Sequence, residues 1–382
     1  MRIFSFISFL GIFLSVYGAA NLYIWLHLAR VAPYLGFLRI PVVTAFWLLV
    51  AAFPVGRIGG AFFRCAFTDM LAVVGSWYLG LMIYLMILLA VFDIVLLADN
   101  WLRVLPRSLT GRNGRTALAA FWTVITLSVM IVAAGRWNAL NPVIREFDVT
   151  LKGTPREAPL RVVVATDIHV GLLVRNHWLS SMIETVNMAR PDMVLLVGDI
   201  VDSDVTHAQE ERLSEELAAI NAPLGVYAVL GNHESYSGAE EAAASFRDGG
   251  VTVLRDEAVQ VEGILTLVGR DDRASARIGS GRLPLSAIPG VESSLPVIVM
   301  DHTPSDLHEA EDAGVALQVS GHTHRGQLWP FNFITSRIFE QDWGFLKKGE
   351  TLYYVSCGIG VWGPPIRTSS RPEVVVLIIS FQ

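Results

Sequence analysis

The chain has 382 residues, of which 53% are hydrophobic and only 17% charged, with a formal net charge of −6. That length accommodates two domains with separate cores, and a charged share well below the usual ~25% excludes an ordinary soluble chain throughout. Two cysteines, Cys65 and Cys357, exclude a disulfide framework.

The first element is an apolar run of 27 residues between Arg2 and Arg30 with no formal charge, where about 20 suffice to span a bilayer. A second run lies between Arg39 and Arg57, with an arginine at each end able to snorkel. The third covers Met70 to Ala98 and is broken only by Asp93, and the fourth is Thr116 to Gly135. Trp25, Trp47, Trp77, Trp101, Trp122 and Trp137 recur through this half, several near span ends, as in aromatic belts. Residues 1–138 therefore read as a transmembrane helical region of about four spans. A cleaved signal peptide accounts for the first run alone, and soluble core helices rarely run so long without a polar face. Asp93 is either a functional intramembrane acid or, close to Asp99, an interfacial residue.

Arg30, Arg39, Arg103, Arg107, Arg112 and Arg115 follow the first and third spans, whereas Arg2, Arg57, Arg64 and Arg136 belong to the other side. The excess assigns the first set to the cytoplasm and the C-terminal domain to the extracytoplasmic side of the cell membrane. Trp137 to Pro142 reads as a linker, because Asn138, Asn141 and Pro142 oppose a continuous helix.

From Leu160 short β-branched runs alternate with amphipathic stretches. Strands are expected at Leu160–Thr166, Met193–Val197, Gly225–Leu230, Ile264–Val268, Val297–Met300, Ala316–Val319, Leu352–Val355 and Val374–Ile379. Helices are expected at His177–Arg190, Ala208–Ile220 and Ala239–Arg247. The pattern implies an α/β domain with a layered sheet over residues 145–382. Its basic residues number 19 against 32 acidic ones beyond residue 138, which disfavours nucleic acid as a partner.

Five polar clusters sit at the ends of apolar strands, where α/β sheets collect their ligand sites. They are Asp167-Ile168-His169, Gly198-Asp199-Ile200-Val201-Asp202, Gly231-Asn232-His233-Glu234, Asp301-His302-Thr303 and Gly321-His322-Thr323-His324. Each alone reads as a surface turn. Together they bring five of the nine histidines, with Asp199 and Asn232, to the ends of separate strands in one domain. Mixed nitrogen and oxygen donors without thiolate suit Mn, Fe, Zn, Co or Ni. They are too many for one tetrahedral ion and suit two divalent metal ions sharing a carboxylate.

The ordered series D-x-H, G-D-x-x-D, G-N-H-E, H and G-H-T-H resembles the calcineurin-like metallophosphoesterase superfamily from about Arg145 onward. It is most similar to the membrane-attached bacterial branch, through Gly326-Gln327 and through Gly360-Val361-Trp362-Gly363-Pro364-Pro365-Ile366-Arg367. The resemblance implies that Asp167, His169 and His324 hold one metal, that Asn232, His302 and His322 hold the other, and that Asp199 bridges them. It implies His233 as leaving-group acid or transition-state donor, with Asp202 orienting it. A helix N-cap is the competing reading of Asp202. An Asp here, where purple acid phosphatases carry an iron-binding tyrosine, sets this chain apart from that group. Arg325 replaces a usual glycine. It reads as a phosphate clamp or a solvated loop charge, and Arg367 has the same two readings.

The expected function is membrane-anchored, metal-dependent hydrolysis of a phosphomonoester, phosphodiester or pyrophosphate bond. A lipid-linked substrate, such as a UDP-diacylglucosamine-type pyrophosphate, is one candidate by analogy with relatives. The alternative is a catalytically silent membrane scaffold or metal sensor, which needs neither the shared carboxylate nor His233. The aromatic stretch Leu328 to Phe345 either meets acyl chains and other membrane lipids or packs its rings onto the domain.

Overall fold

Four long helices and two β-sheets make up the structure, a computed structural model that describes residues 2–104, 114–202, 204–278, 281–291 and 294–382. The chain divides into two compact units, Met1–Gly135 with Gly363–Pro365, and Arg136–Trp362 with Ile366–Gln382.

The helical unit contains α1 (Arg2–Val31), α2 (Arg39–Phe62), α3 (Ala66–Leu102) and most of α4 (Gly114–Ala139). Each is long and apolar enough to cross a membrane. Helices α2 and α3 approach closely because Gly56 and Gly75 lack side chains. A Cβ at either would collide with the backbone at Ala72 or Phe53, as at small-residue contacts between membrane helices. Tyr17, Ile24, Leu28, Phe46, Tyr78, Met82 and Leu89 form the interior, while Ile12, Leu22, Ile94 and Leu97 point outward. Outward-facing apolar side chains along helices with few charges are the pattern expected against lipid rather than water. Arg107 and Arg112, used above to assign sidedness, lie outside the described residues.

The second unit is built on two six-stranded sheets. The first comprises β1 (Val143–Leu151), β2 (Leu160–Ala165), β3 (Met193–Val197), β4 (Val226–Val229), β5 (Thr252–Val253) and β12 (Glu373–Phe381), in the order β1-β12-β2-β3-β4-β5. The second comprises β6 (Glu257–Val261), β7 (Leu265–Gly269), β8 (Val297–Met300), β9 (Leu317–Ser320), β10 (Gly344–Lys348) and β11 (Thr351–Val355), in the order β10-β11-β9-β8-β7-β6. β2, β3 and β4 run parallel, as do β7, β8, β9 and β11.

The two-residue period of a strand decides which side chains meet which layer. Val162 and Val164 face the core between the sheets with Leu195, Leu267, Met300 and Val319. Val163 and Ala165 face the helical layer with Leu179, Ile183 and Phe246. A third cluster, with Val299, Ile288, Leu307 and Ala310, covers the far side of the second sheet. Strands such as β3 are therefore apolar at every position, as buried parallel strands must be.

Three sequence expectations need correction. The single helix over Ala208–Ile220 is two short helices, Val205–Glu210 and Leu213–Ala218. They break at Arg212, whose backbone is left-handed at φ 59°. The linker is shorter than expected, because α4 continues to Ala139 and β1 begins at Val143. Finally, β1, β5, β6 and β10 add strands at or near sheet edges.

Candidate metal centre

The parallel strands deliver the five polar clusters to one end of the sandwich. Asp167 and His169 follow β2, Asp199 follows β3, and Asn232 and His233 follow β4. From the second sheet, His302 follows β8 and His322 and His324 follow β9. Asp167, His169, Asp199, His322 and His324 all take positive φ, between 48° and 71°. Left-handed backbone at a non-glycine residue costs about 1–3 kcal/mol and clusters at functional sites. The chain is held there by its neighbours. Asp167 N donates to Gly198 O at 3.0 Å, His169 N to Asp199 O at 3.0 Å and Gly321 N to His302 O at 2.9 Å. Gly231 and Gly321 permit the close approach of these loops, since a Cβ there would collide with Asp199 or with Thr166 and Asp167.

Three groups of donors result among the described residues, the third being His169, Asp199 and His233. In the first, His169 Nε2 lies 3.0 Å from His324 Nε2, and His324 Nε2 lies 3.3 Å from Asp167 Oδ1. In the second, Asp199 is grouped with His302 and His322. Asp199 Oδ2 stands between the groups, 3.2 Å from His302 Nε2 and 3.8 Å from His169 Nε2.

The donors fit cations. His302 Nδ1 meets the Val197 carbonyl at 2.8 Å; a carbonyl only accepts, so Nδ1 carries the proton. A neutral ring then presents a bare Nε2 to the Asp199 carboxylate, acceptor against acceptor. A second proton or a metal ion must sit between them. Burial disfavours the charged ring, but Asp199 outweighs it and holds the His302 pKa well above the usual histidine range. His322 Nδ1 and Asn232 Oδ1 are likewise buried without a hydrogen-bond partner among the described residues, an arrangement that buried polar atoms rarely tolerate. Burial pushes His169 down to about 3 and His322 to about 4, keeping both in the neutral form that ligates. Burial also raises Asp167 to about 6, a charge that a cation would restore.

His233 is only partly buried. Its Nδ1 donates to the Asp202 carbonyl at 2.5 Å, with Asp202 Oδ1 at 3.4 Å, so its other ring nitrogen is left for the opening. Burial lowers its pKa, but hydrogen bonding to Asp202 and the charge of Asp199 raise it overall to about 9. The N-cap of the following helix is Asp204, which accepts from Thr206 N, so Asp202 is not that cap.

Two positioning residues escaped the sequence reading. Glu234, fully buried, accepts from the backbone N–H of Asp199, Val201 and Gly231 at 3.0, 2.7 and 2.7 Å. It ties the β3 and β4 loops together. Its place directly after Asn232-His233 was the available signal. Gln327 reads the backbone of Trp362 in both directions, at 2.7 and 2.9 Å, which joins the Gly-Gln pair to the Trp-Gly-Pro-Pro segment. Arg367 is neither clamp nor loop charge. It is fully buried, donates to Gly360 O and Cys357 O, and stands 3.0 Å from His324 Nδ1. A cation behind a ligand histidine is the reverse of the usual carbonyl or carboxylate partner. With burial, it holds His324 well below the usual pKa. Arg325 stacks on Trp343 at 4.1 Å.

The aromatic stretch is divided. Phe339, Trp343 and Phe345 are half-buried, whereas Trp329, Phe333, Ile334 and Ile338 are exposed, as is Trp362. Phe339 and Trp362 each place a ring 5.9 Å from a site histidine, His322 and His233 respectively.

A family model described as calcineurin-like phosphoesterase matches residues 160–326. An uncharacterized metallophosphoesterase of Aquifex aeolicus is 33% identical over 240 residues, 62% of this chain and 91% of that protein. Another, from Campylobacter jejuni, is 32% identical over 261 residues, 67% and 68% of the two chains. A Danio rerio protein named transmembrane protein with metallophosphoesterase domain is 26% identical over 401 residues, 98% of this chain and 89% of its own.

Proposed function

This chain belongs to the calcineurin-like metallophosphoesterase family, and from that premise we propose that it hydrolyses a phosphoester or pyrophosphate bond of a lipid-linked substrate, using two divalent ions. Asp167, His169 and His324 would hold one ion, Asn232, His302 and His322 the other, with Asp199 shared. Ions bound there would polarise phosphoryl oxygens and acidify a water for attack on phosphorus. The observation that carries this reading is the Asp199 carboxylate facing the bare His302 nitrogen. His233 then acts as proton donor to the departing oxygen, its ring oriented by Asp202. Glu234 and Arg367 keep the loops in register and touch no substrate.

The lipid part rests on the exposed rings of the segment that follows His324, Trp329 and Phe333, and on exposed Trp362 beside His233, because a soluble phosphoester offers nothing to cover them. Trp329→Ala combined with Phe333→Ala is expected to slow hydrolysis of a diacylglucosamine-type pyrophosphate about tenfold or more, from two lost ring contacts. A small aryl phosphoester should be spared. Equal loss on both substrates with a lowered Tm would show that the rings only pack the loop.

Sidedness follows the arginine excess, which supports an extracytoplasmic catalytic unit. A reporter active only outside the cytoplasm, fused after Gln382, should be active. Activity confined to a cytoplasm-dependent reporter reverses the assignment.

A further inference from the structure

Asp93 of α3 is not alone among apolar side chains. Tyr23 Oη donates to Asp93 Oδ2 at 2.7 Å, and His27 Nε2 lies 3.1 Å from the same oxygen. Tyr23 and His27 are four residues apart on α1, one above the other on a single face. Both therefore reach the same carboxylate oxygen. Near the end of α1, Arg30 is exposed and makes no hydrogen bond or ion pair among the described residues. His27, Arg30, Tyr34 and Asp93 line one cavity of about 610 Å³. Through Phe92, Leu96 and Ala120 it continues into a second cavity of about 500 Å³, whose remaining walls, including Val95, Ala119 and Leu127, are almost wholly apolar.

We propose that this composite cavity binds a glycerophospholipid, its phosphate at Arg30 and one acyl chain in the groove between α3 and α4. Charge and length both select this occupant. Tyr23 and His27 supply the hydrogen bonds of Asp93 and Arg30 makes no ion pair with it among the described residues, so Arg30 is the cation open to a ligand, and guanidinium is the side chain best suited to a phosphate. Arg30 lies in the last turn of α1 and Thr116 near the start of α4, at span ends where headgroups sit. From Thr116 to Leu127 the groove descends eleven residues of helix, about 16 Å at 1.5 Å per residue. One leaflet of a ~30 Å hydrocarbon core is about that deep. A free phosphate would leave the apolar groove unfilled, and a simple hydrocarbon would leave Arg30 unpaired. This site is distinct from the metal centre and does not depend on the chemistry assigned there.

The test uses the full chain in maltoside detergent with added dioleoylphosphatidylglycerol, read by native mass spectrometry. One phospholipid per chain should survive detergent release. Arg30→Gln and the groove-filling Ala120→Trp should each lower the retained fraction about tenfold, as loss of one charge-assisted contact implies. Hydrolysis of a soluble aryl phosphoester should stay at the parent level in both. Inorganic phosphate should neither be retained nor displace the lipid. Arg30 is exposed, so Arg30→Gln should keep the parent helical melting curve, and that variant decides the matter alone if Ala120→Trp misfolds. Undiminished lipid retention in Arg30→Gln, or detergent retained as firmly as phospholipid, overturns the proposal.

Discussion

Asp199→Asn is expected to remove both the metal and the reaction while leaving the fold in place. The side chain is nearly fully buried, and the substitution changes no volume. Its Oδ1 accepts from His233 N at 2.9 Å, and its Oδ2 faces His302 Nε2 at 3.2 Å. An amide in that position can donate to the bare His302 nitrogen, satisfying without a cation what the carboxylate leaves unsatisfied. The variant therefore pairs His302 without a second proton or a cation, and the charge that would hold two cations together is gone. Metal content should fall from two ions per chain to one or none. Activity should drop by more than the roughly 10–100-fold that losing a group behind a ligand costs. Chelation of the parent should abolish activity and Mn should restore it, whereas Mn should not rescue Asp199→Asn. Elemental analysis finding two ions in the variant, or full activity in metal-free parent, rejects the binuclear reading.

His233→Ala should separate turnover from metal content. The imidazole packs edge-on against His169, with ring centroids 4.6 Å apart, and its Nδ1 is committed to the Asp202 carbonyl. Its raised proton affinity, to about 9, keeps the ring protonated at neutral pH and able to donate. Cations bound at the site would offset the charge of Asp199, leaving the Asp202 hydrogen bond to favour the protonated ring. Removal of the ring should lower kcat by roughly 10²–10⁴ on a substrate with a poor leaving group, the range for a general acid. The loss should be much smaller with nitrophenolate, which departs without a proton. Metal content should match the parent. Equal losses on both leaving groups would assign His233 to substrate binding instead.

The clustering of the candidate site residues was legible because each follows an apolar strand that cannot be anything but buried. Met193–Val197 was placed to the residue, and Asp199 sits two positions beyond it. The edge strands were not legible. β1 carries Arg145, Glu146 and Asp148, and β10 carries Lys347 and Lys348. Charge is tolerated there because edges need no second neighbour, and it erases the pattern on which recognition of a strand depends. The broken helix at Arg212 has no glycine or proline to announce it. Glu234 and Arg367 were beyond composition for a different reason. A charged residue reads as solvated unless backbone groups are known to surround it, and those groups come from segments distant in sequence. The exposed rings at Trp329 and Phe333 could not be told from core rings, since a ring carries the same hydrophobicity whichever way the loop turns it.

His169 and His324 stand 155 positions apart in the chain yet touch, and the first sheet supplies Asp167, His169, Asp199 and Asn232 while the second supplies His302, His322 and His324. Neither sheet alone has a complete set of donors. Closing so long a loop is the slow, entropically expensive part of assembling such a domain. Retention of a pair of ions would therefore work as a coincidence detector for completed assembly. A chain emerging from synthesis presents a few scattered acids and imidazoles, too sparse to hold two cations or to cut a phosphate bond before the second sheet has docked. A cut between β5 and β6 should therefore leave two fragments without metal or activity, the second also carrying β12 of the first sheet, each regaining both only in the other's company.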